Sequence, residues 1–167
     1  MTPIKFVVSG PVGAGKTTFI RTISQVEVVS TEEKSTEEIG KTHTTVALDF
    51  GQMNLGDHVL HLFGTPGQTR FDYMWDVLSE GAMGLILLVP CDAPHEFPHA
   101  KRILEHVVSR HPLEFILGLT RTDVATNGWD VAEVAAYFDL PEQQVIAVHP
   151  GNAASARYTL QTLLKRI

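Results

Sequence analysis

The sequence has little cysteine, little positive charge and no long apolar run. Its single cysteine, Cys91, excludes an intrachain disulfide and a metal cluster built from cysteines. The 13 lysine and arginine residues are outnumbered by 19 aspartate and glutamate residues, for a net charge of -6, which provides no basic surface for nucleic acid. The longest apolar run, residues 83–90, falls far short of the roughly 20 residues in a membrane span. These absences predict a cytoplasmic protein that does not bind nucleic acid.

The ends of the sequence carry no targeting signal of a common kind. The first residues lack a secretory signal and a glycine at position 2, and the last residues lack a cysteine that could be prenylated. We therefore expect no direct lipid anchor. A length of 167 residues with 44% apolar residues is typical of one globular domain, which we place at residues 1–167.

The apolar pattern alternates between strand-like and helix-like segments. Strands rich in β-branched residues are predicted at residues 4–9, 46–50, 58–63, 83–90, 115–119 and 145–148. Helices are predicted at residues 16–25, 71–79, 97–110, 131–138 and 153–166. This order predicts a doubly wound α/β fold, with a six-stranded, mostly parallel sheet covered by five helices.

The second and third predicted strands follow each other with no helix between them. We therefore expect an antiparallel hairpin that contributes one antiparallel edge strand. Before this hairpin, residues 31–44 are polar and lack apolar periodicity, so we expect a long exposed connection there. Loops of that length are usually functional or disordered.

A phosphate-binding motif follows the first strand directly. The segment Gly10-Pro-Val-Gly-Ala-Gly-Lys-Thr17 matches G-x-x-x-x-G-K-[ST] between a strand and a helix. Its glycines allow backbone N–H groups to surround phosphate oxygens, Lys16 is expected to reach the β- and γ-phosphates, and the Thr17 hydroxyl is expected to bind Mg²⁺. The expected nucleotide contacts in this segment are Gly10, Gly13, Ala14, Gly15, Lys16, Thr17 and Thr18. The motif alone does not separate a GTPase from an ATPase or a nucleotide kinase.

Two further stretches resemble the switch motifs of the Ras-like small GTPase superfamily. Thr45-Val-Ala-Leu-Asp-Phe50 is similar to switch I, and the resemblance makes Thr45 a Mg²⁺ ligand that senses the γ-phosphate, with Thr44 as the alternative. Leu62-Phe-Gly-Thr-Pro-Gly-Gln-Thr-Arg-Phe71 is similar to switch II. By that match, the Gly67 N–H binds the γ-phosphate and Gln68 orients the attacking water.

Two later stretches resemble the base-reading motifs of the same superfamily. Thr120-Arg-Thr-Asp123 is similar to N-K-x-D, in which the carboxylate, here Asp123, accepts hydrogen bonds from N1–H and the 2-amino group of guanine. Arg121 would cover the base. The alternative interpretation of Asp123 is a helix cap. The last stretch, His149-Pro-Gly-Asn152, occupies the place of S-A-K, where Gly151 would bind the guanine O6 through its N–H, with Asn152 beside it.

The resemblance spans the whole chain and implies a switch that binds GTP or GDP with Mg²⁺ and hydrolyses GTP slowly. In that scheme Gln68, Lys16 and Thr45 are the catalytic residues. The Thr-Pro-Gly-Gln order most resembles the prokaryotic Ras-like proteins of the gliding-motility MglA kind, whose usual partners are roadblock-type proteins. The resemblance thus implies a regulatory or effector protein as partner.

Two departures from the superfamily pattern concern metal binding and turnover, besides Thr120 and Arg121, which replace the usual Asn and Lys. Gly64 stands where the superfamily has the switch II aspartate, so Mg²⁺ must be held without it or with a carboxylate from a neighbouring strand, for which Asp49 is a candidate. Val12 stands in the phosphate loop where many members have glycine. Both departures favour the alternative of a nucleotide-bound scaffold with negligible turnover, whereas Gln68 and Thr45 oppose it.

Replacement of Val12 by glycine is expected to raise the intrinsic or the partner-stimulated rate of GTP hydrolysis. The branched side chain occupies space beside the γ-phosphate that Gln68 or an arginine finger needs, and an arginine finger is worth about 10³ to 10⁵ in rate. Single-turnover rates for the parent, Val12→Gly and Gln68→Ala measure the effect. A parent that hydrolyses several GTP molecules per second unaided, or an unchanged rate in Gln68→Ala, would contradict these assignments.

Overall fold

The computed structural model describes residues 2–37, 42–65 and 72–167, with the backbone alone described for residues 29–37, 42–48 and 72–74. The strands are β1 (Ile4–Ser9), β2 (Val29–Glu37), β3 (Thr42–Leu55), β4 (His58–Gly64), β5 (Gly84–Pro90), β6 (Glu114–Thr120) and β7 (Val145–Ala147). The helices are α1 (Lys16–Ile23), α2 (Asp72–Ser79), α3 (Phe97–Arg110), α4 (Val131–Phe138) and α5 (Ala153–Leu164).

The strands form one sheet in the order β2-β3-β4-β1-β5-β6-β7. Strand β1 pairs in parallel with β4 and β5, and the parallel run continues through β6 to β7. Only β3 runs in the opposite direction, since it pairs antiparallel with both β2 and β4. The predicted mixed α/β class with a mostly parallel sheet and five helices is confirmed.

The edge of the sheet beyond β4 differs from the prediction. The described residues form seven strands rather than six, because part of the expected connection at residues 31–44 is the strand β2. The antiparallel strand β3 lies second from the edge, with β2 outside it. Among the described strands, β2 pairs with β3 alone. Charged residues are common on such edge strands, which explains why periodicity missed it.

Strand β5 lies inside the sheet, between β1 and β6, and is buried along its whole length. Its side chains alternate between two apolar layers, as the pleat of a strand requires. Leu85, Leu87 and Val89 pack in the layer with Phe97 of α3. The second layer contains Ile86, Leu88, Phe6, Phe19 and Leu160. Helices thus cover both faces, which accounts for the continuous apolar sequence of β5.

The helices begin at local signals in the sequence. Asp130 and Glu133 form a capping box at the start of α4, and the Asn152 side chain accepts a hydrogen bond from the Ser155 N–H at the start of α5. Helix α3 buries Phe97, Ala100, Leu104 and Val107 at the spacing of one helical face. None of the helices in the described parts of the chain combines the length and apolarity needed to cross a bilayer.

A carboxylate on α2 holds that helix against α3. The Asp76 Oδ1 atom lies 3.2 Å from Nε2 of His111 in a hydrogen bond, and its Oδ2 atom lies 3.1 Å from Nε2 of His106. Arg110 approaches Oδ2 to 3.6 Å. Burial alone would raise the pKa of the Asp76 carboxyl, but the two imidazoles and the guanidinium outweigh burial and lower that pKa. The cluster thus joins α2 to the end of α3.

Replacement of Asp76 by asparagine is expected to reduce the free energy of unfolding by about 0.5 to 1 kcal/mol at pH 7, given the partial exposure of the side chain. A carboxyl with a lowered folded pKa stabilises the protein above its unfolded pKa, and this stabilisation is lost as the pH falls through the folded value. The difference between parent and variant should therefore shrink below about pH 4. Urea unfolding at several pH values measures the difference in unfolding free energy between the parent and Asp76→Asn, and Asp57→Asn is the control. Equal stability of parent and Asp76→Asn at pH 7 would contradict the role of the cluster.

Candidate functional site

The carboxyl ends of five parallel strands meet at one edge of the sheet, where doubly wound folds place their ligand sites. Backbone hydrogen bonds join the segments that leave these strands. The Thr65 N–H donates to the Val8 carbonyl over 2.9 Å, and the Cys91 N–H donates to the Thr120 carbonyl over 3.0 Å. A further bond of 2.5 Å joins the buried hydroxyls of Thr65 and Ser9. The loops at this edge therefore begin from fixed points.

The phosphate loop connects β1 to α1 in a glycine-dependent conformation. Gly10, Gly13 and Gly15 have φ angles of 146°, 83° and 100°, which residues with a Cβ rarely adopt. Helix α1 follows at once and is anchored to the core by Phe19 and Ile20. The loop thus presents the amino end of a helix at the edge where the strands end, which is a geometry that favours anions.

The Lys16 ammonium is held by the loop itself. Its Nζ atom donates to the Gly10 carbonyl over 2.7 Å and to the Pro11 carbonyl over 2.8 Å. An ammonium has three donors, so these bonds use two of them. Burial lowers the pKa of Lys16 to about 8, while the carboxylates of Asp49 and Glu96 act in the opposite direction. The charge is thus positioned in the loop before any ligand arrives.

The next residue, Thr17, is joined to the neighbouring antiparallel strand. Its hydroxyl donates to Oδ2 of Asp49 over 2.6 Å. Asp49 lies on β3 directly opposite Gly64 of β4. A hydroxyl and a carboxylate are hard oxygen donors of the kind that Mg²⁺ prefers. No cluster of three or more histidine, cysteine, aspartate or glutamate side chains suited to a metal occurs in the described residues, so phosphate or water oxygens would have to complete such a site.

The predicted base-reading residues lie together around a pocket of about 380 Å³. The pocket is lined by Arg121, Asp123, Val124, His149, Pro150, Gly151 and Asn152. Four of these, Arg121, Asp123, Gly151 and Asn152, are among the residues that the sequence indicated. Thr120, at the end of β6, is buried, and its hydroxyl has no hydrogen-bond partner in the described part of the chain. It therefore does not tie the loops together as the longer asparagine of the superfamily motif would.

The two charged residues of this pocket have different neighbours. The Arg121 Nε donates to both carboxylate oxygens of Asp92, over 2.9 and 3.0 Å, which orients its guanidinium from the end of β5. Arg121 adopts a left-handed conformation with φ of 68°. Asp123 is more than half exposed, and its Oδ1 lies 3.5 Å from Nδ1 of His149. The Asp123 carboxylate is thus open to a ligand while an imidazole lies beside it.

The phosphate loop and the base pocket are in direct contact. A Cβ on Gly15 would lie 2.8 Å from Cγ of Pro150, so the two loops pack closely only because residue 15 is glycine. Val124 and Asp92 were not singled out from the sequence, and His149 and Pro150 appeared there only as members of the last stretch, with no role assigned to them. The position of Pro150 in the segment between β7 and α5 could have indicated it. The places of Val124 and Asp92 in the pocket region depend on how the strand ends pack in three dimensions.

The structure does not bring all the predicted residues together. Gly67 and Gln68 lie outside the described residues. Thr45 lies on β3, paired with Lys34 of β2, and precedes Asp49 by four residues, which is about 13 Å along an extended strand. The two proposed metal ligands Thr17 and Thr45 are therefore apart in this conformation.

The fold and this site together define a P-loop α/β protein with the small GTPase architecture. The chain belongs to the family described as conserved hypothetical ATP binding protein, whose profile matches residues 25–165. The matched region begins after the phosphate loop, so the loop is an observation independent of that match.

A curated relative and a solved structure extend the comparison. The chain is 28% identical over 124 residues to an uncharacterized protein of Methanocaldococcus jannaschii. The aligned region covers 72% of this chain and 71% of the relative. The chain is also similar to the structure of the Arl6 (BBS3) small GTPase of Trypanosoma brucei with the bound nucleotide analogue GppNp, with a TM-score of 0.76 and 14% identity. That alignment covers 99% of this chain and 97% of the other. Neither comparison tests the MglA-like subgroup.

Replacement of Gly15 by alanine is expected to destabilise the protein more than replacement of Gly13. Both positions have positive φ, which costs roughly 1 to 2 kcal/mol for a residue with a Cβ, but only the alanine at position 15 collides with Pro150. The collision should add about 1 to 3 kcal/mol. Urea unfolding measures both variants, and Gly15→Ala combined with Pro150→Gly should remove the additional loss. Equal losses for the two single variants would contradict the contact between the loops.

Proposed function

We propose that this protein is a guanine-nucleotide switch that binds GTP or GDP with Mg²⁺ and hydrolyses GTP slowly. The observation that carries the proposal is the position of Lys16. Its ammonium lies in a glycine-rich loop at the amino end of α1, and this loop packs on the pocket that contains Asp123. A charged phosphate site and the pocket around Asp123 are thus adjacent, which supports the binding of one nucleotide across both.

The phosphate groups are bound by charge and by backbone donors. Lys16 retains its two carbonyl contacts and directs its remaining donor to the β- and γ-phosphates. The N–H groups near Gly13 and Gly15 surround the phosphate oxygens, and Val12, 67% exposed at the mouth of the loop, limits the space beside the γ-phosphate. Phosphoryl transfer depends mainly on such positioning and electrostatic stabilisation. Gln68 would place the attacking water.

The oxygen donors beside Lys16 suit Mg²⁺, with Thr17 as a ligand. Thr17 would hold the Mg²⁺, and the ion would supply positive charge against the phosphate groups. Thr45 reaches this position only if the first half of β3 leaves its present pairing with β2. Binding of the γ-phosphate by Thr45 and Gly67 would therefore rearrange the outer hairpin, and hydrolysis would release it. A partner protein, of the roadblock type if the resemblance holds, would recognise one of the two forms.

Base choice depends on Asp123 in this proposal. Its exposed carboxylate accepts two hydrogen bonds from guanine, and adenine presents no matching pair of donors. The family description, by contrast, favours an adenine nucleotide, which is the second candidate. The Gly64 and Val12 departures favour a third, a nucleotide-bound scaffold without turnover.

Single-turnover hydrolysis of labelled GTP beside ATP separates these candidates. The proposal predicts one bound guanine nucleotide per chain, slow GTP hydrolysis and little response to ATP. Asp123→Asn should shift the preference from guanine towards xanthine nucleotides, because the amide donates where the carboxylate accepts. Asp57→Asn is a control that changes an exposed carboxylate outside the pocket. Full retention of the preference for GTP over XTP in Asp123→Asn would show that Asp123 does not read the base.

A further inference from the structure

Asp49 and Gly64 form a cross-strand pair beside the phosphate loop. They are directly opposite each other in the antiparallel pairing of β3 with β4. Side chains of directly opposed residues lie on the same face of a sheet and about 4.5 to 5.5 Å apart at Cβ. The carboxylate on β3 therefore occupies the face on which a side chain at position 64 would stand.

The two positions compete for the same space. A Cβ on Gly64 would lie 3.3 Å from Cβ of Asp49 and 3.7 Å from its Oδ2. A carboxylate on residue 64 would extend further, into the volume that the Asp49 carboxylate occupies. A longer side chain at position 64 would thus crowd the Asp49 carboxylate, and glycine leaves that space open.

The Asp49 carboxylate also fixes the orientation of Thr17. The Thr17 hydroxyl donates its proton to Oδ2 of Asp49, and a hydroxyl oxygen that donates in one direction keeps two lone pairs for other partners. The same carboxylate acts electrostatically on Lys16 from the other side. One negative charge therefore organises both the hydroxyl and the ammonium of the phosphate site.

We propose that Asp49 supplies the carboxylate of a divalent-cation site centred on Thr17, in the place that Gly64 leaves open. It acts on the cation through the oriented Thr17 hydroxyl and through a water bound to the cation. This inference rests on the proposed nucleotide binding and adds to it the residue that holds the metal. Because Asp49 belongs to β3, cation binding is coupled to the hairpin of β2 and β3 rather than to the segment after β4.

The test compares Asp49→Asn with Asp57→Asn in the full chain. The asparagine keeps the shape and can accept the Thr17 hydrogen bond, so the fold should be retained. Asp57 is exposed in the turn between β3 and β4. The readouts are the Mg²⁺ dependence of the dissociation rate of a fluorescent GDP and the affinity for Mn²⁺ measured by electron paramagnetic resonance. Loss of a carboxylate that orients metal ligands costs about 10- to 100-fold in metal affinity. We expect that loss in Asp49→Asn and none in Asp57→Asn.

Moving the carboxylate across the strand pair provides the reciprocal test. In the double variant Asp49→Ala and Gly64→Asp, the new side chain enters the space that Asp49 vacates. The nearest remaining atom, Cδ1 of Ile20 at 3.0 Å from the new Cβ, ends a flexible side chain. This variant should regain most of the Mn²⁺ affinity lost in Asp49→Asn.

The outcomes separate the inference from the function on which it rests. If the parent binds GDP and the Mg²⁺ dependence of GDP dissociation is the same in Asp49→Asn as in the parent, the role of Asp49 is overturned and nucleotide binding stands. If the parent binds no GDP at any Mg²⁺ concentration, both the role of Asp49 and the proposed nucleotide binding are overturned. If the Mn²⁺ affinity falls equally in Asp57→Asn and Asp49→Asn, the effect is a general one of surface charge, and the assignment of Asp49 to the cation site is also overturned.

Discussion

The partly buried charge of Lys16 is the constraint on which the site depends. Its ammonium loses water on burial and must find acceptors, and the carbonyls of Gly10 and Pro11 provide them within the same loop. The loop can turn its carbonyls in this way only because its glycines adopt positive φ angles. The same conformation starts α1, and α1 is fixed in turn by its apolar contacts with the sheet. A single buried cation thereby links the loop geometry to the core.

A second constraint is the contact between the loop that follows β1 and the loop that follows β7. Pro150 packs against Gly15, and the pocket around Asp123 is therefore fixed relative to the phosphate loop. Arg121 and Asp92 form a pair across the ends of β5 and β6, which replaces some of the bracing that Thr120 is too short to provide. At position 64 a glycine lies opposite Asp49, whose carboxylate accepts the Thr17 hydrogen bond. At the end of β6 the Arg121–Asp92 pair joins the segments that follow β5 and β6.

Much of the fold could be predicted from the sequence because its central strands are buried on both faces. The continuous apolar run of β5 and the one-sided apolar face of α3 indicate their structures without ambiguity. Strand β2 could not be predicted, since an edge strand is stabilised by backbone pairing and its sequence carries no apolar period. Within the site, the phosphate loop has a local motif, and Asp123 and Gly151 follow strands in the expected order. Pro150 as a packing partner of Gly15, and Asp92 as the partner of Arg121, depend on which strand ends are neighbours in space.

The measurement that tests the account most directly is native mass spectrometry of the protein after incubation with equimolar GTP and ATP in the presence of Mg²⁺. The account predicts a single adduct whose mass equals one guanine nucleotide with one Mg²⁺, because Lys16 and Thr17 hold the phosphates while Asp123 selects the base. An adenine nucleotide in the same complex would contradict the base assignment. A spectrum with no nucleotide adduct would contradict the central claim.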